Sequence, residues 1–228
     1  MHRFLLFIFI FFIPASYSSN RNLLSPAPAI SEHYKLYSDM QLQNVINYDA
    51  FEQAIIGYEK INARNKDIIT LIDFSKPSTE ERLYILDMKQ KRLLCSSLVS
   101  HGRNSGENYA TSFSNENGSY KSSLGFYVTE NTYNGKNGYS LILNGLEKGI
   151  NDRAKERAIV MHGAPYSNPS VIKSSGRLGR SLGCPAVPQA TCKRIINTIK
   201  GGTILFIYAS DKSYAKKSSI LASFMANK

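Results

Sequence analysis

The stretch from Ile159 to Tyr208 constrains this chain more than any other. It opens on a strand-like run, Ala158 to Met161, that delivers His162 at its end. It continues through a loop in which Gly176, Gly179, Ser181, Gly183 and Pro185 forbid a regular element. After Pro188, a favoured helix start, the apolar residues Cys192, Ile195, Ile196 and Ile199 recur at helical spacing until Gly201-Gly202 stops them. T-I-L-F-I-Y then reads as a last strand. A fold built on this unit has to pack a strand, a helix and a strand while keeping one glycine-rich loop, with Cys184 in it, free of the core.

Cys184 is the outlier of three cysteines. Its neighbours let backbone approach a ligand closely and are poor material for a packed interior. Cys192 lies on the apolar stripe of the helix and is a small hydrophobe there. Cys95, in L-L-C-S-S-L-V, reads as a strand residue of the same kind. Pro185 has no N–H, so the donors of any oxyanion hole here are the amides of Cys184, Gly183 or Leu182, with the Ser181 side chain as an addition.

A free thiol is only slightly ionised at neutral pH and needs a base or a nearby positive charge to react. Of four histidines, His2 lies at the extreme N-terminus and His33 in a polar segment. His101 and His162 each follow a strand-like run and precede a glycine. His162 is the candidate base because it shares a supersecondary unit with Cys184; whether His101 assists catalysis, lines the cleft or only shapes its turn stays open.

These residues carry a resemblance. His162-Gly163 followed by Ser181-Leu182-Gly183-Cys184 resembles the H-G…S-x-G-C pattern of the YkuD-like, or murein L,D-transpeptidase, catalytic domain family. Three further blocks agree with it: D-F-S-K-P-S (Asp73 to Ser78), H-G-R-N-S-G (His101 to Gly106) and S-S-L-G-F-Y (Ser122 to Tyr127). The likeness runs over roughly residues 45–210. It implies that Cys184 attacks a peptidoglycan stem peptide at the carbonyl of a diamino acid, expels D-alanine and forms a thioester. His162, oriented by a backbone carbonyl rather than a carboxylate, would take the thiol proton, and the Gly183 and Cys184 amides would hold the oxyanion. Ser181, Gly163 and His101 would lie against substrate. An amine acceptor gives a cross-link, and water gives L,D-carboxypeptidase activity. The familiar pattern H-G-C-x-R is departed from at Leu182 and Ala186, so the cation for a substrate carboxylate has to come from Arg177, Arg180 or Arg103.

Residues 1–19 read as a secretory signal: Met1-His2-Arg3, ten apolar residues from Phe4 to Ile13, then P-A-S-Y-S-S. Ten residues are too few to span a bilayer, and no cysteine follows for a lipid anchor. The expected location is the periplasm or cell envelope, with no stable membrane anchor after cleavage. The formal charge of +11 suits an anionic partner. Scattered cations, no Trp and export argue for cell-wall polymer over nucleic acid.

Residues 20–66 divide into a linker to about residue 44, with Pro26 and Pro28, and a helix from Tyr48 to Ile61 with Phe51, Ala54, Ile55 and Tyr58 at helical spacing. Residues 67–210 form the domain proper. I-I-T-L-I-D-F, R-L-Y-I-L-D-M and R-L-L-C-S-S-L-V-S are consecutive strands. Asn134-Gly135 and Asn137-Gly138 mark a hairpin. The polar block from His101 to Ser123 is a long loop, expected to wall the substrate site. The tail, 211–228, is either a helix carrying Ile220, Leu221 and Phe224 or a mobile end. The fold class is therefore β-rich α+β, a mixed or sandwich-like sheet with a few packed helices. No metal-ligand spacing and no phosphate loop occur, so neither metal nor cofactor is expected. Beside the two enzyme readings stands a wall-binding module without catalysis, and a thiol redox protein is disfavoured for want of a C-x-x-C partner.

Overall fold

A computed structural model describes residues 31–225, so the expected signal at 1–19 lies outside the described residues. The centre of the fold is the last strand, β8 (Ile204–Tyr208), every residue of which is buried. An uninterrupted apolar run is what a strand covered on both faces requires. β8 pairs in parallel with β1 (Ile68–Asp73), Ile69 opposite Ile204, and antiparallel with β4 (Gly125–Gly135), Gly125 opposite Ile207. Outward from β1 come β2 (Leu83–Asp87) and β3 (Arg92–Ser97), both antiparallel. Outward from β4 come β5 (Gly138–Gly145), β6 (Val160–Ala164) and β7 (Ala186–Pro188), giving one mixed sheet in the order β3-β2-β1-β8-β4-β5-β6-β7. The β4–β5 hairpin closes with Gly135 opposite Gly138, at the Asn-Gly signals.

Helices cover this sheet. α4 (Gln189–Ile199) buries Cys192, Ile195, Ile196 and Ile199, the stripe read from the sequence. α2 (Tyr48–Lys60) is capped by Asn47 Oδ1, which accepts from the amides of Asp49 (2.8 Å) and Ala50 (3.3 Å), and buries Phe51, Ala54 and Ile55. Its Gly57 has a packing reason: a Cβ there would meet the Phe126 ring at 2.0 Å. That ring stacks on Phe206 of β8, with centroids 4.2 Å apart.

Two expectations change. Residues 31–44 are not linker: Ser31 caps α1 (Glu32–Asp39), Tyr37, Met40 and Leu42 are buried, and the Tyr37 hydroxyl donates to Ile46 O at 2.6 Å. Three anchors at uneven spacing make no periodic signal, yet they bring this segment into the same unit as the sheet, which begins at Ser31 rather than residue 67. The tail folds as α5 (Lys212–Lys217) and α6 (Ala222–Met225). Asp211 caps α5, and Tyr214 and Ser218 both donate to the buried carboxylate of Glu147, which also accepts from Phe126 N at 2.8 Å. Cys95, Cys184 and Cys192 are all free thiols.

Candidate active site

His162 sits in the middle of β6 and not after it. It pairs with Ser140 on one side and with Ala186 on the other. Because β6 and β7 run parallel, the chain must cross over between them. It does so through a turn of 3-10 helix (Pro165–Ser167), α3 (Pro169–Ser175) and the glycine loop. The crossover therefore brings Cys184 back in a bend two residues before Ala186, which opens the strand next to that of His162. Strand alternation separates the two faces. Met161 and Val187 turn to the core, where Gly163 packs on Cys192 of α4, while His162 and its register partner Ala186 share the other face.

The cysteine loop is clamped by the three other blocks singled out in the sequence. From D-F-S-K-P-S, Ser78 Oγ accepts from Leu178 N at 3.1 Å and donates to Asn108 Oδ1 at 2.8 Å. From H-G-R-N-S-G, His101 O accepts from Ser181 N (2.9 Å) and Arg103 N donates to Ser181 O (2.8 Å). From S-S-L-G-F-Y, Ser122 Oγ donates to Gly183 O at 3.2 Å and accepts from Gly102 N at 3.0 Å. Gly183 itself has φ 129°, and a Cβ would lie 2.9 Å from Lys121 O and 3.0 Å from Ile159 Cδ1, so only glycine fits.

The Cys184 thiol donates to Ala158 O at 3.6 Å. Burial pushes it above the ordinary thiol range, against the pull of the Val160 amide and the Arg157 guanidinium. The His162 Nδ1–H donates to Gly163 O at 3.1 Å, which leaves Nε2 as the acceptor nitrogen. Burial holds this imidazole below its usual value. At neutral pH both groups are therefore uncharged. Tyr166 borders the same site: burial and the Cys184 sulfur push its phenol up to about 12.

Other residues singled out in the sequence take different places. His101 is wholly buried, with Nδ1 accepting from Arg82 Nη2 at 2.8 Å and Nε2–H donating to Gly106 O at 3.2 Å. It satisfies a buried guanidinium that also donates to Val99 O and Lys76 O. Burial first, then Arg82, depress its pKa to about 4. The buried Ser181 hydroxyl closes the cysteine turn, donating to Cys184 O (2.6 Å) and accepting from Gly183 N (3.0 Å). The Gly183 amide is therefore already engaged, whereas that of Cys184 has no partner among the described residues. Arg177 and Arg180 both pair with Glu107, at 3.0 and 2.6 Å. Arg103 is exposed, lies over the Tyr120 ring at 4.2 Å and has no carboxylate partner among the described residues. Arg157, Tyr166 and Arg82 were not singled out from sequence, because nothing in their local patterns marks them.

The architecture is a single mixed sheet whose crossover returns a cysteine two residues ahead of the strand paired with that of His162. The chain belongs to the L,D-transpeptidase catalytic domain family, whose model matches residues 42–208. Among solved structures it is similar to an L,D-transpeptidase from Mycobacterium smegmatis, at 11% identity and a TM-score of 0.40, over 63% of this chain and 59% of that one. It is also similar to one from Xylanimonas cellulosilytica (15%, TM-score 0.35, 62% and 60%) and one from Mycobacterium tuberculosis H37Rv (13%, 0.35, 62% and 57%). The chain thus spans under two thirds of the length of these structures. No curated protein matches it.

Proposed function

We propose that this protein is an exported cysteine L,D-transpeptidase that acts on peptidoglycan stem peptides in the cell envelope. The observation that carries the reading is the His162 tautomer: Nδ1–H is held by Gly163 O, so Nε2 is free to accept a proton, on the strand in register with the end of the cysteine loop.

The thiol rests on Ala158 O, so reaction begins with Sγ turning from that carbonyl to the imidazole. His162 Nε2 takes the proton as sulfur bonds to the carbonyl carbon of the diamino-acid–D-alanine bond. The oxyanion accepts from the Cys184 amide; Gly183 N–H joins it only if released by Ser181 Oγ. The imidazolium then gives its proton to the departing D-alanine nitrogen as the C–N bond breaks, leaving a thioester. An incoming amine loses a proton to His162, attacks the thioester and expels the sulfur, which is reprotonated. Of the three candidate arginines, Arg103, without an acid partner among the described residues, would meet the substrate carboxylate.

Water in place of the amine makes the same site an L,D-carboxypeptidase. Incubating the protein with purified sacculi and separating the digested muropeptides distinguishes the readings. New cross-linked dimers, lost in Cys184→Ala, support transpeptidation. Shortened stems alone support hydrolysis. No change in the muropeptides, with wall binding equal in both proteins, leaves a binding module and overturns the enzyme.

A further inference from the structure

Arg157 is a half-buried guanidinium without an acid of its own among the described residues. Nη1 donates to Ser114 O (2.8 Å) and Ser123 Oγ (2.5 Å), and Nη2 to Lys121 O (2.7 Å) and Ser119 Oγ (3.4 Å). All four are neutral oxygens of the loop that walls the site. Nη2 also lies 3.4 Å from the position a Gly183 Cβ would occupy, directly behind the residue before Cys184. An uncompensated cation is costly to bury, and four bonds fix this one where it touches the nucleophile's turn.

We propose that Arg157 is a positioning residue of the Cys184 site, supplying the fixed positive charge that steadies the sulfur as it ionises. The inference rests on Cys184 being the nucleophile. Other groups around it do not serve the same end. Glu116, the nearby acid, is committed to Arg153 at 3.2 Å. The Lys121 ammonium turns to Ser112 Oγ at 2.7 Å. Tyr127 and Tyr166, which face Arg157 and Cys184, are neutral phenols held so by burial. His162 is uncharged at rest. Among the described residues Arg157 is thus the permanent cation on this side of the sulfur, and its pull on Cys184 agrees with the geometry.

The test is the pH profile of Cys184 alkylation by iodoacetamide in the full chain, read by peptide mass mapping, with melting curves to follow folding. In Arg157→Gln the apparent thiol pKa rises by about one unit and alkylation at pH 7 slows roughly tenfold. Arg157→Lys keeps the charge without the fork and keeps the profile to within about 0.3 unit, although its melting point falls. Ser123→Ala removes a bond to Arg157 but not the charge, and likewise leaves the profile in place. An unmoved profile in Arg157→Gln overturns the inference. So does a shift of about one unit in Arg157→Lys, which decides the matter alone should the Gln variant not fold. Failure of the nucleophile reading looks different: Cys184→Ser would then retain acyl transfer.

Discussion

The thiol of Cys184 donates to the carbonyl of Ala158 at 3.6 Å, and Ala158 adopts φ 52°, left-handed backbone that a non-glycine residue takes only under constraint. The carbonyl on which the sulfur rests is thus aimed by a strained residue just ahead of the strand that carries His162. The thiol is masked at rest, uncharged and hydrogen-bonded to a main-chain carbonyl.

Ala158→Gly relieves the left-handed strain, worth about 1 kcal/mol, while loosening the unfolded chain by a similar amount. Its melting point therefore stays close to the parent's and Cys184 stays reactive. Ala158→Val, β-branched at positive φ, destabilises by about 2 kcal/mol and slows alkylation of Cys184. Equal melting points for the two variants would remove strain from the account.

His101 gives a pH dependence with a definite sign. Its folded pKa, about 4, lies below the unfolded value, so between these limits the unfolded chain binds more protons. Its contribution is complete above about pH 6.5 and is lost as the pH falls towards 4, by up to about 3 kcal/mol. Denaturant unfolding at pH 7 and pH 4.5 measures it. His101→Gln flattens this limb and destabilises at pH 7, because Arg82 loses a buried acceptor. An unchanged limb in the variant would assign the acid sensitivity elsewhere.

Of the three arginines considered for a substrate carboxylate, Arg103, which lies over the Tyr120 ring, is the one with no acid partner among the described residues. Arg103→Ala raises KM for a stem peptide about tenfold with little change in kcat, as expected for one lost charged hydrogen bond. Arg177→Ala and Arg180→Ala loosen the Glu107 contact and act mainly on melting temperature. A KM effect in these two and none in Arg103→Ala would reverse the assignment.

Much of this was legible in the sequence. The α4 stripe, the β4–β5 hairpin and the buried run of β8 follow from periodicity and turn chemistry. The irregular loop around Cys184 follows from composition, but it is not free of the core: Leu178, Ser181, Gly183 and Pro185 are buried in it and Cys184 packs against the core. What stayed hidden depends on distant partners. The role of His101 stays open in the sequence because the buried arginine it satisfies lies 19 residues away. Arg157 shows no local signal, since its place behind Gly183 is set by the loop from Ser114 to Ser123. α1 carries no helical signal in the sequence because its burial rests on one side chain of the helix, Tyr37, and on residues just beyond it.

The central claim, a sulfur activated by the neighbouring imidazole, is tested most directly by intact mass after incubation with a carbapenem, an acylating agent for a nucleophile of this kind. The account predicts one covalent adduct on the parent protein, none on Cys184→Ser, and formation slowed at least about a hundredfold in His162→Ala. An adduct that persists in Cys184→Ser, or that forms in His162→Ala at the parent rate, would contradict it.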